Sequence, residues 1–310
     1  METTQRSRPR LLRLAAGLVL VILAILAAVP RWDALLANNP VYPLTLAAAF
    51  VLGLLLTATA LVSSEPPRRG GWRRAARIAA TAGAFGLAAV LFWLAPFVAT
   101  PPALAALDSD DAVTVTDTRT ATTYEPSDPT AAALIFYPGA RVDPRAYAVL
   151  ARRIAEAGSP VTVLKCPFDL SLLCADPTPL LPADEPWAVG GHSLGGVSAS
   201  TYAAGDVPPG TGLVFWASYP FSDLSDRTDL AVTSIYGSED ALTTVSDVSA
   251  DRPDLPPETD YVLIEGAIHA HFGDYGEHPG DGVPLISRDD AQDQIVDATV
   301  AALADLDAGR

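Results

Sequence analysis

Apolar and polar positions follow two different rhythms along this chain, with the change near residue 100. Before it lie three continuous apolar runs: LAAGLVLVILAILAAV (14–29), PLTLAAAFVLGLLLTATALV (43–62) and IAATAGAFGLAAVLFWLAPFVA (78–99). A bilayer core of ~30 Å takes about 20 apolar residues in a helix. The second and third runs meet that length. The first does so when Leu11 and Leu12 are counted, with Arg13 snorkelling to the interface. Three transmembrane helices are therefore predicted, at about 11–30, 43–62 and 78–99. A cleaved signal peptide is the alternative for the first, since RSRPRLLR suits a basic leader. The run is long for that role, however, and two more follow it.

From residue 112 the runs shorten and alternate in kind. AVTVTDTRTATTYE is threonine-rich with period two and predicts an early antiparallel strand pair. AAALIFY, PVTVLK, WAVGG, GLVFWAS, AVTSIYG and DYVLIEG are short apolar runs that predict buried strands. Between and after them, PRAYAVLARRIAEAG, LGGVSASTYAAG and RDDAQDQIVDATVAALADL carry helical spacing. Strands that are apolar on both faces and alternate with helices argue for a mostly parallel sheet inside a three-layer α/β sandwich. The organisation read from the sequence is a membrane region over 1–100, a linker over 101–111 (PPALAALDSDD) and an α/β domain over 112–310.

Charge divides the chain at the same place. Residues 1–99 carry a balance of +7 and the remainder −23, within a formal net charge of −16. An acidic domain is a poor match for nucleic acid, which binds through Lys and Arg to phosphate. Arginines cluster before the first run (Arg6, Arg8, Arg10, Arg13) and between the second and third (Arg68, Arg69, Arg73, Arg74, Arg77). Basic short loops stay cytoplasmic, so three spans put the N-terminus inside and the α/β domain on the outer face of a multi-pass cell-membrane protein. The two cysteines, Cys166 and Cys174, could clip one loop in an oxidising compartment or remain buried thiols. Their spacing matches no zinc motif; no metal and no cofactor is expected.

The chemistry concentrates in WAVGGHSLGGVSAS (187–200). Gly191-His192-Ser193-Leu194-Gly195 fits the G-x-S-x-G nucleophile elbow, with a strand before it and a helix after it. The serine sits on a turn so tight that side chains two positions either way would collide, and glycine removes them. In that arrangement the acid and then the histidine follow in the chain. Asp240 comes just after the strand AVTSIYG, and His269 just after DYVLIEG, at strand ends where open α/β sheets place their sites. Glu239, Asp223 and Asp226 are competing acids, read as solvated loop charges. His192 is read as packing within the elbow and His278 as a surface loop residue. An oxyanion hole needs the N–H after the nucleophile, that of Leu194, and one from the turn YPGARVDP. Pro138 has none, so Gly139 or Ala140 must serve, and Ala140 is favoured. Gly139, Arg141 and His271 are candidates for substrate contact.

These stretches together, LIFYPGARVDPRAYAVLARRIAEAG, VGGHSLGG, IYGSEDAL and IEGAIHAHFGDYGEHPGDG…ISR, resemble a compact bacterial α/β-hydrolase family of the dienelactone-hydrolase type. The likeness runs from about Asp110 to the C-terminus. It implies Ser193, Asp240 and His269 as the triad, and relatives of this type often carry N-terminal membrane helices. Two positions depart from the pattern: the usual Gly-Gly-Asn-His is Gly266-Ala267-Ile268-His269, and the usual Gln two residues later is His271. The expected activity is a membrane-anchored serine hydrolase. It would cleave a carboxylic ester, thioester or lactone, in a small-molecule or lipid-like substrate, through an acyl-enzyme. No large lid insertion is visible, so an open site is expected. A catalytically silent binding module at the cell surface and a serine peptidase are the alternatives; protein partners are not legible.

Overall fold

The computed structural model describes residues 8–62, 71–182 and 186–308. Arg6, Arg68 and Arg69, used above for orientation, lie outside the described residues, as does part of the Pro/Asp-rich loop before residue 187. The chain forms two compact units with their boundary between Ala95 and Pro96.

The first unit is helical: α1 (Arg8–Ala28), α2 (Trp32–Ala37), α3 (Val41–Val62) and α4 (Gly71–Trp93). Gly17 on α1 and Gly53 on α3 meet so closely that a Cβ on either would lie 2.7–2.8 Å from the other's carbonyl oxygen. Small residues are what allow two apolar helices that approach. Tyr42 of α3 donates its hydroxyl proton to the Leu91 carbonyl of α4 at 2.6 Å. Leu18, Ile22, Leu44, Leu54 and Leu55 remain exposed.

Two stretches, Arg10–Ala37 and Val41–Val62, are long and apolar enough to cross a membrane; the third expected span is not. Its apolar helix is only Ile78–Trp93. The helix stops there, short of Pro96, and the rest of the run is used elsewhere. Phe97 forms a parallel bridge with Val142, and Ala99 is buried in the core of the second unit. Among the described residues the three expected spans are thus corrected to two candidate stretches. The segment read as a linker likewise contains a short helix, α5 (Pro101–Ala105), whose Ala103 is fully buried in that core.

The second unit is a three-layer α/β sandwich. Its strands are β1 (Val113–Asp117), β2 (Ala121–Pro126), β3 (Ala133–Tyr137), β4 (Val161–Leu164), β5 (Trp187–His192), β6 (Gly212–Trp216), β7 (Ala231–Gly237) and β8 (Asp260–Ile264). They form one sheet in the order β1-β2-β4-β3-β5-β6-β7-β8. β1, β2 and the β2/β4 contact are antiparallel, and the rest is parallel. The continuous apolar runs are explained by two-sided burial. In β3, Leu134 and Phe136 enter one core while Ala133, Ile135 and Tyr137 enter the other. Helices α6 (Ala148–Glu156) and α9 (Arg288–Asp307) cover the first face, and α7 (Leu194–Ala203) covers the second. Trp216 of β6 donates its indole N–H to Thr299 of α9 at 3.0 Å. One further helix, α8 (Val245–Asp251), starts at a capping box between Thr244 and Asp247.

The strand order reverses between β3 and β5, because β4 lies on one side of β3 and β6 lies on the far side of β5. Ligands of open α/β sheets bind at such a switch point, beyond the carboxyl ends of the strands. The turns after β3 and β5 meet there.

Candidate active site

Ser193 follows β5 directly, with φ 52° and ψ −122°. This left-handed φ costs on the order of 1–3 kcal/mol in a non-glycine residue and persists only where the surroundings enforce it. The enforcement is visible. The Ser193 N–H donates to the Trp216 carbonyl at 3.0 Å, and the Ser193 carbonyl accepts from the Ser218 hydroxyl at 2.6 Å. A Cβ on Gly191 would lie 2.2 Å from the Gly195 carbonyl carbon. A Cβ on Gly195 would lie 2.0 Å from the Tyr137 carbonyl oxygen. Both glycines of the motif are thus required by backbone that has nowhere to go. Ser193 itself is half-buried, at the start of α7.

Asp240 lies just past β7 and is buried. Its Oδ1 accepts the N–H groups of Leu242 at 2.8 Å and Thr243 at 2.7 Å. Its Oδ2 lies 2.8 Å from His269 Nδ1. The two amides fix the carboxylate and leave the second oxygen for the ring. The competing acids are elsewhere engaged: Asp223 is exposed and caps its own turn at Ser225, Asp226 is exposed, and Glu239 accepts from Ser238.

His269 is buried in a short turn, His269–Phe272, after β8. This loop is clamped by a residue the sequence reading passed over. Asp281 accepts the His269 N–H on Oδ1 at 3.1 Å and the Ala270 N–H on Oδ2 at 2.8 Å. The only signal for it was an aspartate between two glycines. Gly282 explains one of them, since a Cβ there would strike the Glu239 carbonyl at 1.7 Å. The clamp therefore packs against the Asp240 loop. It also answers the departure at Gly266-Ala267-Ile268-His269, because the histidine turn is held from downstream.

Two of the other histidines flank His269. The His192 ring is 4.5 Å from it, and that of His278 is 5.5 Å away, edge-on. His278 is therefore part of the site's wall and not a remote surface residue. Burial lowers the pKa of His278, and the neighbouring His269 adds to this. Tyr147 was also missed. Its hydroxyl accepts the Gly139 N–H at 2.8 Å and pairs with His192 Nδ1 at 2.9 Å. Burial drives the pKa of His192 well down, which keeps its ring neutral. His271 is buried, and that burial together with the Arg288 charge lowers its pKa to about 4.

The turn after β3 distributes its amides unequally. Gly139 N–H goes to Tyr147, and Arg141 N–H goes to the Asp169 carbonyl at 2.7 Å. No hydrogen bond engages the Ala140 N–H among the described residues. Leu194 is the first residue of α7, where an N–H has no partner inside its own helix. The geometry thus leaves the two favoured amides open and removes Gly139 from contention as a donor. Arg141 has φ 62°, and its guanidinium lies over the Phe97 ring, 4.9 Å from the centroid. Among the described residues no group of His, Cys, Asp and Glu is arranged to hold a metal.

A family model described as "Alpha/beta hydrolase family" matches residues 133–293, just over half of the chain, from β3 into α9. Among solved structures, the chain is similar to a proposed dienelactone hydrolase from Klebsiella pneumoniae subsp. pneumoniae MGH 78578. The identity is 17% and the TM-score 0.43, with 62% of this chain and 99% of that one covered. No curated protein matches the chain.

Proposed function

We propose that this chain, which belongs to the alpha/beta hydrolase family, is a serine hydrolase that cleaves carboxylic esters, thioesters or lactones through an acyl-enzyme on Ser193. The observation that carries the reading is the buried Asp240–His269 pair at 2.8 Å on the two loops that follow β7 and β8. Asp240 receives the Nδ1 proton of His269 and so keeps Nε2 free as a base. His269 takes the proton of Ser193 as its oxygen attacks the carbonyl. The negative charge that develops on the carbonyl oxygen is met by the N–H groups of Ala140 and Leu194, and by the N-terminal dipole of α7. His269 then protonates the departing alcohol or thiol, and water repeats the sequence to free the acid.

Leu172, Phe221 and Leu242 are exposed on loops that follow β4, β6 and β7, all at the carboxyl end of the parallel strands. This apolar rim supports a lipid-like acyl substrate. Attachment to a membrane is supported by the helical stretches Arg10–Ala37 and Val41–Val62, although a leader sequence has the same character. Labelling with a fluorophosphonate, followed by a panel of ester, thioester and peptide substrates, tests the activity. Modification of Ser193 and turnover of esters are expected. An unlabelled protein would favour a silent binding module, and turnover of peptides alone a peptidase.

A further inference from the structure

The chain between β4 and β5 contains a loop whose role is not explained by packing alone. Cys166 and Cys174 are joined as a disulfide, with Cα atoms 4.5 Å apart. Inside this small ring, Phe168 and Asp169 both take left-handed conformations, at φ 59° and 51°. Two consecutive L-residues there cost roughly 1–2 kcal/mol each, so the loop does not hold this shape unaided. Its polar groups point at two places. The Asp169 carbonyl accepts the N–H of Arg141, the residue after Ala140, at 2.7 Å. The Ser171 hydroxyl donates to the carbonyl of Leu194 at 2.9 Å, and itself accepts from Ser198 at 2.9 Å. One covalently closed loop therefore grips the turn after β3 and the first turn of α7. Those turns carry the two N–H groups assigned above to the oxyanion hole.

We propose that the Cys166–Cys174 loop is the positioning brace of the oxyanion hole, and that its cystine sustains the acylation rate. The inference rests on the serine-hydrolase reading of Ser193. Opening the disulfide frees the loop to relax Phe168 and Asp169 out of the left-handed region. The Asp169 carbonyl then leaves Arg141, and the separation between the Ala140 and Leu194 amides is no longer fixed. Oxyanion donors act on the transition state and little on the bound substrate. The rate constant kcat should therefore fall while KM stays nearly constant. Loss of one such donor lowers kcat by about 10²–10³-fold. A loosened pair of donors should cost about tenfold or more.

The test uses the full chain in detergent, oxidised and after treatment with a dithiol. The dithiol breaks the S–S bond, supplies two electrons and two protons to the two Sγ atoms, and closes to its own disulfide. The thiols are then alkylated. Hydrogen exchange is followed by mass spectrometry on the peptide containing Arg141, and kcat and KM are measured on p-nitrophenyl acetate. Faster exchange at Arg141, unchanged exchange in β5 and β6, and a loss in kcat alone are expected. Unchanged exchange at Arg141, unchanged kcat, or thiols free before reduction would overturn the proposal. Ser171→Ala keeps the cystine and removes one strut. It should lower kcat by roughly threefold to tenfold at constant KM, a fraction of a full donor loss; an unaltered kcat would count against the brace. If fluorophosphonate fails to label even the oxidised protein, the serine-hydrolase reading fails, and the exchange at Arg141 alone decides whether the loop braces that turn.

Discussion

Replacing Asp240 by Asn tests the orientation of His269 by a perturbation of one atom. The side-chain amide is isosteric with the carboxylate, but its two ends are no longer alike. The Oδ1 position receives two backbone N–H groups, from Leu242 at 2.8 Å and Thr243 at 2.7 Å. The amide oxygen must therefore sit there, and the NH2 group is turned towards His269 Nδ1. It donates to a nitrogen that should itself be a donor, so the ring proton moves to Nε2 and the base is blocked. Turning the amide over would leave two buried N–H groups facing an NH2, at about 1–3 kcal/mol each. At about 1.4 kcal/mol per factor of ten, the competent arrangement is depleted by roughly 30-fold to 10⁴-fold. The loss known for this replacement in a Ser-His-Asp triad is about 10⁴ in kcat. Stopped-flow hydrolysis of p-nitrophenyl acetate should show a fall near the upper end of that range, with little change in KM. The melting temperature should barely move, because the amide oxygen still accepts both backbone donors. A folded variant that loses less than tenfold would refute the argument that Asp240 sets the tautomer of His269.

Gly195→Ala should destabilise the protein by about 3 kcal/mol, since backbone at Tyr137 and Pro138 blocks the new methyl; a melting curve that does not shift would contradict this. Asp281→Ala should cost about 1–3 kcal/mol in unpaired amides, and roughly 10²-fold in kcat through a misplaced His269. Asp281→Asn should recover part of both. The unfolded chain binds a proton on His271 near pH 6.5, whereas the folded chain does so only near pH 4. The unfolded state therefore binds more protons in this window, and stability should fall as the pH drops through it. Thermal melts across that range should show a shallower slope in His271→Gln. The cystine matches an oxidising compartment. Two spans in place of three would leave both ends of the chain on one side of the membrane, so the outer face no longer follows from a cytoplasmic N-terminus and rests on the cystine alone. Protease added to intact cells should digest the hydrolase unit; protection until permeabilisation would place it in the cytoplasm with the arginine-rich N-terminus.

The elbow was legible because sterics leave few alternatives. A strand, a left-handed serine and a helix in immediate succession need glycine at 191 and 195, and the collisions at 2.0–2.2 Å show why. Asp240 and His269 were legible for a related reason: residues just past the ends of parallel strands share one rim. The third apolar run misled because hydropathy does not say which unit a segment serves. Phe97 and Ala99 are as apolar as a membrane helix, yet they are spent on the Val142 bridge and on the hydrolase core. Asp281 was invisible because its partners are main-chain amides 11 and 12 residues away, which no residue type announces. Tyr147 was hidden similarly, since its link to His192 spans 45 positions. His278 looked like a surface residue from its Pro/Gly-rich neighbours, and only the folded loop brings its ring to 5.5 Å from His269.

The claim on which the rest depends is that Ser193 carries the acyl group. Mixing the purified protein with p-nitrophenyl acetate, quenching in acid and mapping the peptides would test it directly. One acetyl group per chain is expected, on Ser193, absent from Ser193→Ala and formed far more slowly in His269→Ala. Acetyl found on another residue, or turnover by Ser193→Ala at the rate of the unaltered protein, would contradict it.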